Sequence, residues 1–583
     1  SFDQRVDGLK IYQPYSVFHG NNVTLDPAAT SGTNVAVTVS EDYFDTTGAV
    51  DGSGNYPDSL HVGVFLRYHD TEMEIVSVQS ATQARVSISG VLRARLEIAN
   101  PLRTNDGSVG IEVTHLNHGL DAGDTIIIED ASAVGGINAS AINGSRVIQE
   151  IIDENTYSFN AGSAANASED GGGFVKIVTH APTSDWAEQS FSAVRGYPAA
   201  IEFHENRLCF GGTIAEPDSL WLSKIGSFFN FDVGDAADDD SINIVAATGD
   251  VNEIRYLVSN RDLQVFTASA ELYVPTYLNQ AITPTNAQIR KQTPYGCEFV
   301  EPTSIDGATI FIQTGGKVAR EYLYTDDEDA YTSTAVSNIA SHLIDGIQDV
   351  AVVNGFAQLS EGFAVFTKAN GDCTVFSSSR AEKRAGWTRF TTQGEFSSVA
   401  AVDDRLFASV WFDGSDLRLV EFKDGWQLDN SKLYSLTSNV ADVSADFSDG
   451  AVLDVIAVEG DREDYLGTHT VTGGSIDLSG YNPAYTEAYI GYSFPVSVTT
   501  NPIDLAAGNG PQTGNPRGIS SAILDLRGTR SAKVNNTALV TDGEFNGKKE
   551  FRLLGYGRDP QITITQDEPL SLQVNGLIAE LII

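Results

Sequence analysis

Phe203-His-Glu-Asn-Arg-Leu-Cys-Phe-Gly-Gly212 and Ser219-Leu-Trp-Leu-Ser223 carry two short apolar runs, Arg207–Gly211 and Ser219–Ser223, separated by a link rich in turn formers. Runs of this length, bounded by Gly, Pro and Asp, read as a pair of strands. The same pairing recurs downstream. Leu263–Thr267 goes with Glu271–Pro275, Thr309–Gln313 with Ala319–Tyr324, Phe363–Thr367 with Thr374–Ser378, and Leu406–Val410 with Leu417–Phe422. The pairs recur at intervals of roughly 45 to 55 residues, the range of a four-stranded propeller blade. Residues 179–430 are therefore expected to form an irregular β-propeller of five or six blades. Gly196, Gly211 and Gly212 suit tight turns. Phe203, Leu208, Phe210, Trp221, Phe228 and Phe229 are expected to pack its core.

Outward from this block the chain remains strand-rich. Val35–Val39, Ala84–Ile88 and Gln561–Thr565 alternate with period 2, and Asn370-Gly371, Asp413-Gly414 and Asp542-Gly543 are hairpin signals. Residues 1–103 and 431–583 read as the two parts of a β-sandwich-like platform domain. Residues 104–178 read as a small inserted β-barrel. In Val113-Thr-His-Leu-Asn-His-Gly-Leu, Gly123-Asp-Thr-Ile-Ile-Ile, Gly144-Ser-Arg-Val-Ile and Asn155-Thr-Tyr-Ser-Phe it resembles a barrel module that recurs in phage structural proteins and is likened to a domain of ubiquitin-activating enzymes. The best helical pattern is Thr334–Ile344, with Val336, Ile339, Ala340 and Leu343 on one face. The expected fold class is mostly β: a propeller, a platform and a small barrel.

The sequence has 583 residues, with 36 Lys and Arg against 78 Asp and Glu, a formal charge of −42. Such a surface repels nucleic acid and favours solubility. Residues 517–558 run against this trend. Arg517, Arg527, Arg530, Lys533, Lys548, Lys549, Arg552 and Arg558 outnumber Asp525, Asp542, Glu544 and Glu550. Two readings stand for this segment: it docks on an acidic neighbour, or it forms solvated strand faces. Cys209, Cys297 and Cys373 are odd in number and far apart, which points to buried free thiols. No run of about 18 apolar residues is present, so membrane insertion is not expected. The sequence opens at Ser1 with no signal-peptide pattern, which leaves a processed N-terminus open.

Signs of catalysis are scarce. The sequence lacks a G-x-S-x-G elbow, an H-E-x-x-H pair and a phosphate-binding glycine loop. The runs Asp238–Asp240 and Asp326–Asp329 read as solvated loops. Asp51-Gly-Ser-Gly-Asn-Tyr lacks most calcium-loop ligands and reads as a loop. His115 and His118 lack a third metal ligand and read as loop caps. Arg380, Lys383, Arg384 and Arg389 around Trp387 fit either a phosphate contact or a hairpin tip. No cofactor is expected.

A longer line of residues bears a family resemblance. It contains Trp186, then Arg195-Gly196-Tyr197-Pro198, then Phe203-His204 with Arg207-Leu208 and Gly211-Gly212, then Trp221, Ser223, Phe228 and Phe231. It resembles the signature of tail-nozzle proteins (tail tubular protein B) of short-tailed bacteriophages, and weaker likeness extends over most of the chain. The resemblance implies a structural virion protein and no catalytic residues. It implies a homo-oligomeric ring, expected to be a hexamer, assembled in the host cytoplasm and located in the virion tail. Its expected partners are an adaptor ring, a tail fibre or spike, and double-stranded DNA that passes without specific binding. Six copies would carry about −250 charges, a field suited to letting a duplex slide. A glycan-degrading tail enzyme and a receptor-binding adhesin are the alternatives.

Overall fold

A computed structural model describes residues 12–582, apart from 70, 91, 93, 117, 119, 180–181, 235, 247–251, 277–280, 356–361, 413, 461, 483–484, 504–505, 508–509, 512–515, 542, 554 and 567. The hairpin signals at Asp413 and Asp542 fall outside the described residues. Regular structure is almost entirely strand. The helical exceptions among the described residues are Ala139–Ile142 and a 3-10 turn, Ser341–Leu343. The chain forms two compact units, Ser1–Cys297 and Glu298–Ile583.

The first unit opens with a seven-stranded antiparallel sheet in the order Tyr15–Ser16, Trp186–Gln189, Phe65–Tyr68, Thr71–Ser80, Gln83–Ile88, Gly32–Val39, Leu25–Pro27. Its strands bury alternate residues: Val35, Val37 and Val39 face the same core as Ala84, Val86 and Ile88. Period-2 burial of this kind means that one face is covered. Residues 94–179 form an eight-stranded sheet that curls almost closed. Two continuous ribbons make the bend. Ala94–Ala99 runs on into Leu102–Thr104, next to the opposite edge, and Glu169–Gly171 at that edge runs on into Phe174–Thr179. The corner is pinned by Asn100, whose N–H donates to the Gly173 carbonyl at 2.7 Å and whose Oδ1 accepts from the Gly173 N–H at 3.0 Å.

Two four-stranded antiparallel sheets follow in this unit. The first is Ala200–His204, Arg207–Gly211, Ser219–Leu222 and Ile242–Val245. The second is Ile254–Ser259, Leu263–Thr267, Glu271–Val274 and Arg290–Thr293. Their middle strands are buried at every position, because both faces are covered. Leu220, Leu222 and Cys209 of the first sheet share a core with Ile254, Leu257 and Val265 of the second. Gly211 allows this approach. A Cβ there would lie 2.7 Å from Ile254 Cγ2, and one at Gly212 would lie 2.9 Å from two carbonyl oxygens.

The second unit continues the pattern. One sheet holds Thr303–Ile305, Ala308–Ile312, Ala319–Thr325 and Ala330–Ala335, and the next holds Ile347–Asn354, Gly362–Lys368, Cys373–Ser379 and Arg384–Phe390. A third sheet has three strands, Glu395–Val402, Arg405–Phe412 and Asp416–Phe422. Neighbouring sheets share cores. The five strand pairs read from the sequence are all present, each as the second and third strands of its sheet. Residues 429–492 form a further four-stranded sheet, and the thirteen-residue strand Arg517–Thr529 is flanked by Phe545–Arg552 and Val574–Ile582.

The helix expected over Thr334–Ile344 does not form. Ala330–Ala335 pairs along its length with Ala319–Thr325 as a fourth strand. Tyr331, Thr332 and Thr334 suit a pleated strand better than a helix. Val336 and Ile344 still reach one core from either side of a short turn, while Ile339 is 95% exposed. Tertiary pairing overrides a weak helical period.

Close packing at Gly211 sets a stability test. Gly211→Ala should cost about 1–3 kcal/mol by overpacking. Gly386→Ala, where nothing lies within 4 Å, should be near neutral. The shift of the first calorimetric transition distinguishes them.

Candidate functional site

The signature residues divide between two sheets. Trp186 lies in the seven-stranded sheet, buried, with Nε1–H donating to the Val23 carbonyl at 3.0 Å. The His19 ring stacks on it at 4.0 Å, and Tyr43 meets it edge-on at 4.8 Å. Two residues on, and therefore on the same strand face, Glu188 is fully buried. Arg195 grips it with two bonds, Nε to Oε1 at 3.0 Å and Nη2 to Oε2 at 2.6 Å. The Tyr43 hydroxyl also donates to Glu188. The Asp45 N–H donates to His61 Nδ1 at 2.8 Å, which leaves the ring proton on Nε2, 3.7 Å from Glu188 Oε2. Burial pushes the Glu188 carboxyl up, but the neighbouring His61 N–H and the Arg195 hydrogen bonds outweigh it and hold it below the usual range. Burial, then Glu188, pushes the Tyr43 phenol up. Arg195 lies over the Phe18 ring at 4.3 Å.

Gly196 turns the chain at φ +86°, where a Cβ would come within 3.0 Å of the Ile214 nitrogen. Tyr197 is exposed and Pro198 half-buried. The chain then enters the first four-stranded sheet. Glu205 and Asn206, both at positive φ, make the two-residue turn between its first two strands. His204 is buried and bonds Ser259 Oγ at 2.9 Å and Thr276 Oγ1 at 3.3 Å. Burial lowers its pKa against the pull of nearby carboxylates.

Arg207 is 1% exposed. Its Nη1 donates to the carbonyls of Ser223 at 2.7 Å and Asp240 at 2.6 Å, and its Nη2 to those of Asp238 at 3.1 Å and Ile282 at 3.0 Å. The first three acceptors flank the first sheet, and Ile282 lies in the link between the third and fourth strands of the second. Ser223 Oγ accepts the Leu208 N–H at 2.9 Å. Behind these strands Leu208, Phe210, Trp221 and Phe231 pack with Phe191 and Phe228.

The expectation that all six apolar signature residues pack a core needs correction. Phe203 is 55% exposed and Phe229 is also exposed, while Leu208, Phe210 and Trp221 are buried. Phe203 shares its exposed strand face with Ile201 and rests edge-on against Phe228. The Asp238–Asp240 run is not wholly solvated either. Asp240 is buried, accepts the Ala237 N–H at 2.8 Å and pairs with Lys224 at 2.9 Å. Asp326–Asp329 is an exposed turn.

The basic segment is not one patch. Arg517 is buried, and its Nη2 reaches the Arg558 carbonyl at 3.4 Å. Arg530 turns inward to the Glu463 carbonyl at 3.0 Å and lies 3.9 Å from Glu544. Lys533 and Lys549 are half-buried, and Lys548 stands opposite Asp525 on the adjacent strand. Arg527, Lys548 and Arg552 are the exposed cations of the strand pair. At the other basic cluster, Arg380 binds Asp306 and Glu321, Arg384 pairs with Glu382, and Arg389 with Asp372. Trp387 packs on Phe376 and donates to the Val336 carbonyl. This is a hairpin, with its three arginines already paired.

His118 caps its loop through the Leu120 N–H and the Asp153 carbonyl. Cys209, Cys297 and Cys373 are free and buried, and burial pushes the Cys209 and Cys373 thiols up to about 12. Among the described residues no group of three His, Cys, Asp or Glu is placed to hold a metal. Sequence reasoning missed Glu188, Tyr43, His61, Lys224 and Ile254. Glu188 alone carried a signal, since it alternates with Trp186 and precedes Arg195 by seven residues.

Sheets with middle strands buried on both faces, joined by interior charges that bind main chain and one another, make up this part of the chain. Residues 195–371 match the family described as Bacteriophage nozzle protein. This match supports a structural role in the phage tail. No curated protein matches the chain. Three solved structures are distantly similar. The phage phi92 endosialidase is 11% identical over 68% of this chain and 61% of its own, with a TM-score of 0.17. Dihydro-heme d1 dehydrogenase NirN in complex with DHE is 7% identical over 81% and 78%, at 0.27. Apo AztD from Citrobacter koseri is 11% identical over 69% and 94%, at 0.22. The chain thus spans less than two thirds of the endosialidase, and at these scores no argument rests on any of the three.

Two tests follow from the buried charges. Arg195→Leu strands a buried carboxylate and should cost about 3–5 kcal/mol in chemical denaturation. Because the folded Glu188 is depressed, its stabilisation is present above the ordinary carboxyl value of about 4.3 and fades as pH falls through the folded value. Glu188→Gln should therefore flatten the acid limb of the stability profile. Arg207→Met leaves four carbonyls unpaired and should destabilise by more than about 3 kcal/mol, with Arg207→Lys intermediate.

Proposed function

We propose that this chain is the subunit of a tail nozzle that closes as a ring, with six copies expected, around a channel for double-stranded DNA. The observation that carries the reading is the nozzle-family segment, residues 195–371, whose Arg207 sits in the cradle between two stacked sheets. The charge of −42 supports passage without capture, since a carboxylate-rich wall repels phosphate. On this reading the ring abuts an adaptor above and carries fibres or spikes at its periphery. The blade-like sheets of residues 179–430 are the propeller, and residues 1–103 with 431–583 the platform.

A structural role is also supported by how two buried carboxylates beside the signature residues are used. Glu188 and Asp240 are held as ion pairs. A glycosidase acid needs a carboxyl whose pKa is raised towards neutrality. The signature residues Trp186, Arg195, Gly196, His204, Arg207, Gly211 and Gly212 then act as scaffold.

Particle imaging of the purified chain or of isolated tails should show a closed ring with a lumen wider than about 20 Å, enough for a duplex. Gel-shift at about 0.15 M salt should show no duplex retention at micromolar protein. A monomeric virion protein, or a ring that holds DNA tightly, would overturn the proposal.

A further inference from the structure

The last sheet of the series in the second unit is one strand short. Each of the other four blade-like sheets has four strands. This one ends at Asp416–Phe422, seven residues long and hydrogen-bonded on one side to Arg405–Phe412. The next strand in the chain, Asp429–Ser435, does not return to complete it and instead pairs with Glu487–Tyr492. Among the described residues the outer edge of Asp416–Phe422 has no backbone partner. Leu419 is 77% exposed and Leu417 52%, and both project to the same face as the partly exposed Trp411. The opposite face is used, because Val420 and Phe422 pack against the core beneath.

An unpaired edge carrying apolar side chains is the feature natural sheets normally blunt with charge, proline or a bulge. Here no proline or bulge lies in the strand, and its charges are engaged in pairs, Arg418 with Asp416 and Glu421 with Arg405. Arg418 binds Asp416 at 2.6 Å and the Asp446 carbonyl at 2.8 Å. The sibling sheets show what fits at this position. Their fourth strands are Ile242–Val245, Arg290–Thr293, Ala330–Ala335 and Arg384–Phe390, all antiparallel. Charge narrows the choice. Residues 395–424 hold Arg405, Arg418 and Lys423 against Glu395, Asp403, Asp404, Asp413, Asp416, Glu421 and Asp424. Two of the cations are already spent, since Arg405 pairs with Glu421 at 2.7 Å.

We infer that the edge Asp416–Phe422 takes a fourth β-strand from a partner polypeptide, an extended segment with alternating apolar residues and net positive charge. Main-chain bonds to the edge give the affinity, the Leu417–Leu419 face selects apolar side chains at alternate positions, and the acidic surround selects basic flanks. The inference is independent of ring size and rests on the nozzle reading only for the source of the partner, another tail protein.

The test uses the full chain and a labelled peptide, Lys-Val-Thr-Val-Lys-Val-Thr-Val-Lys. Anisotropy should show saturable binding, weakened about tenfold or more by Leu419→Glu and by replacing the peptide lysines with glutamate. Hydrogen exchange should show the outward amides of 416–422 open in the chain alone and protected when the peptide is added. Edge amides already protected in the dilute chain would overturn the inference. So would protection that grows with chain concentration alone, which would make a second copy the occupant, or equal binding of the acidic peptide. None of these outcomes bears on ring stoichiometry, so the two proposals fail separately.

Discussion

A guanidinium that leaves water must have its donors satisfied, and Arg207 does so with main-chain carbonyls rather than a carboxylate. The constraint reaches far. The loop carrying Asp238 and Asp240 must return to the end of the second strand of the first sheet, and the segment at Ile282 must come across from the second sheet. Lys224 and Asp240 then pair beside it, and the Ser223 hydroxyl closes on the Leu208 N–H. Stacked sheets have large apolar faces that slide easily; a fixed polar pin between them sets the register. Gly211 complements the pin, since its missing side chain is the space into which Ile254 packs.

The Glu188–Arg195 pair does similar work one step earlier in the chain. It anchors the connection that leaves the seven-stranded sheet and enters the first four-stranded one. Its partners come from separate stretches: Tyr43 and His61 from early strands and loops, Arg195 from the turn that Gly196 permits. A buried ion pair of this kind adds little net stability compared with an apolar substitute. Its value is that few other arrangements can satisfy all its members.

The nozzle reading gives the remaining charge a purpose. Interior ion pairs and carbonyl cradles satisfy the buried groups, and on the proposed reading the excess carboxylates set the field of the surface. The same field bears on the open edge at Asp416–Phe422. A bare strand edge invites indiscriminate pairing, and an acidic surround restricts it to basic segments.

Much of the secondary structure was legible in the residues themselves. Alternation at Val35–Val39 or continuous burial at Leu263–Thr267 is a property of a few neighbouring residues, and turn formers between such runs mark where strands end. Five strand pairs and their spacing followed from that, as did the signature line, because motifs are local. Local pattern could not say which strands share a core, since that depends on residues more than a hundred positions apart: Glu188 with Tyr43 and His61, Trp186 with Val23. Nor could it tell which face of a strand meets solvent, and so Phe203 read as core when it is exposed. Thr334–Ile344 has a helical period, but the open edge of Ala319–Thr325 offered more hydrogen bonds to a strand. Arg530 read as surface charge and instead turns in to Glu463. Apart from Thr334–Ile344, where pairing overrode the local period, local sequence determined the element, and long-range packing, which alone settles what is desolvated and by whom, decided its surroundings.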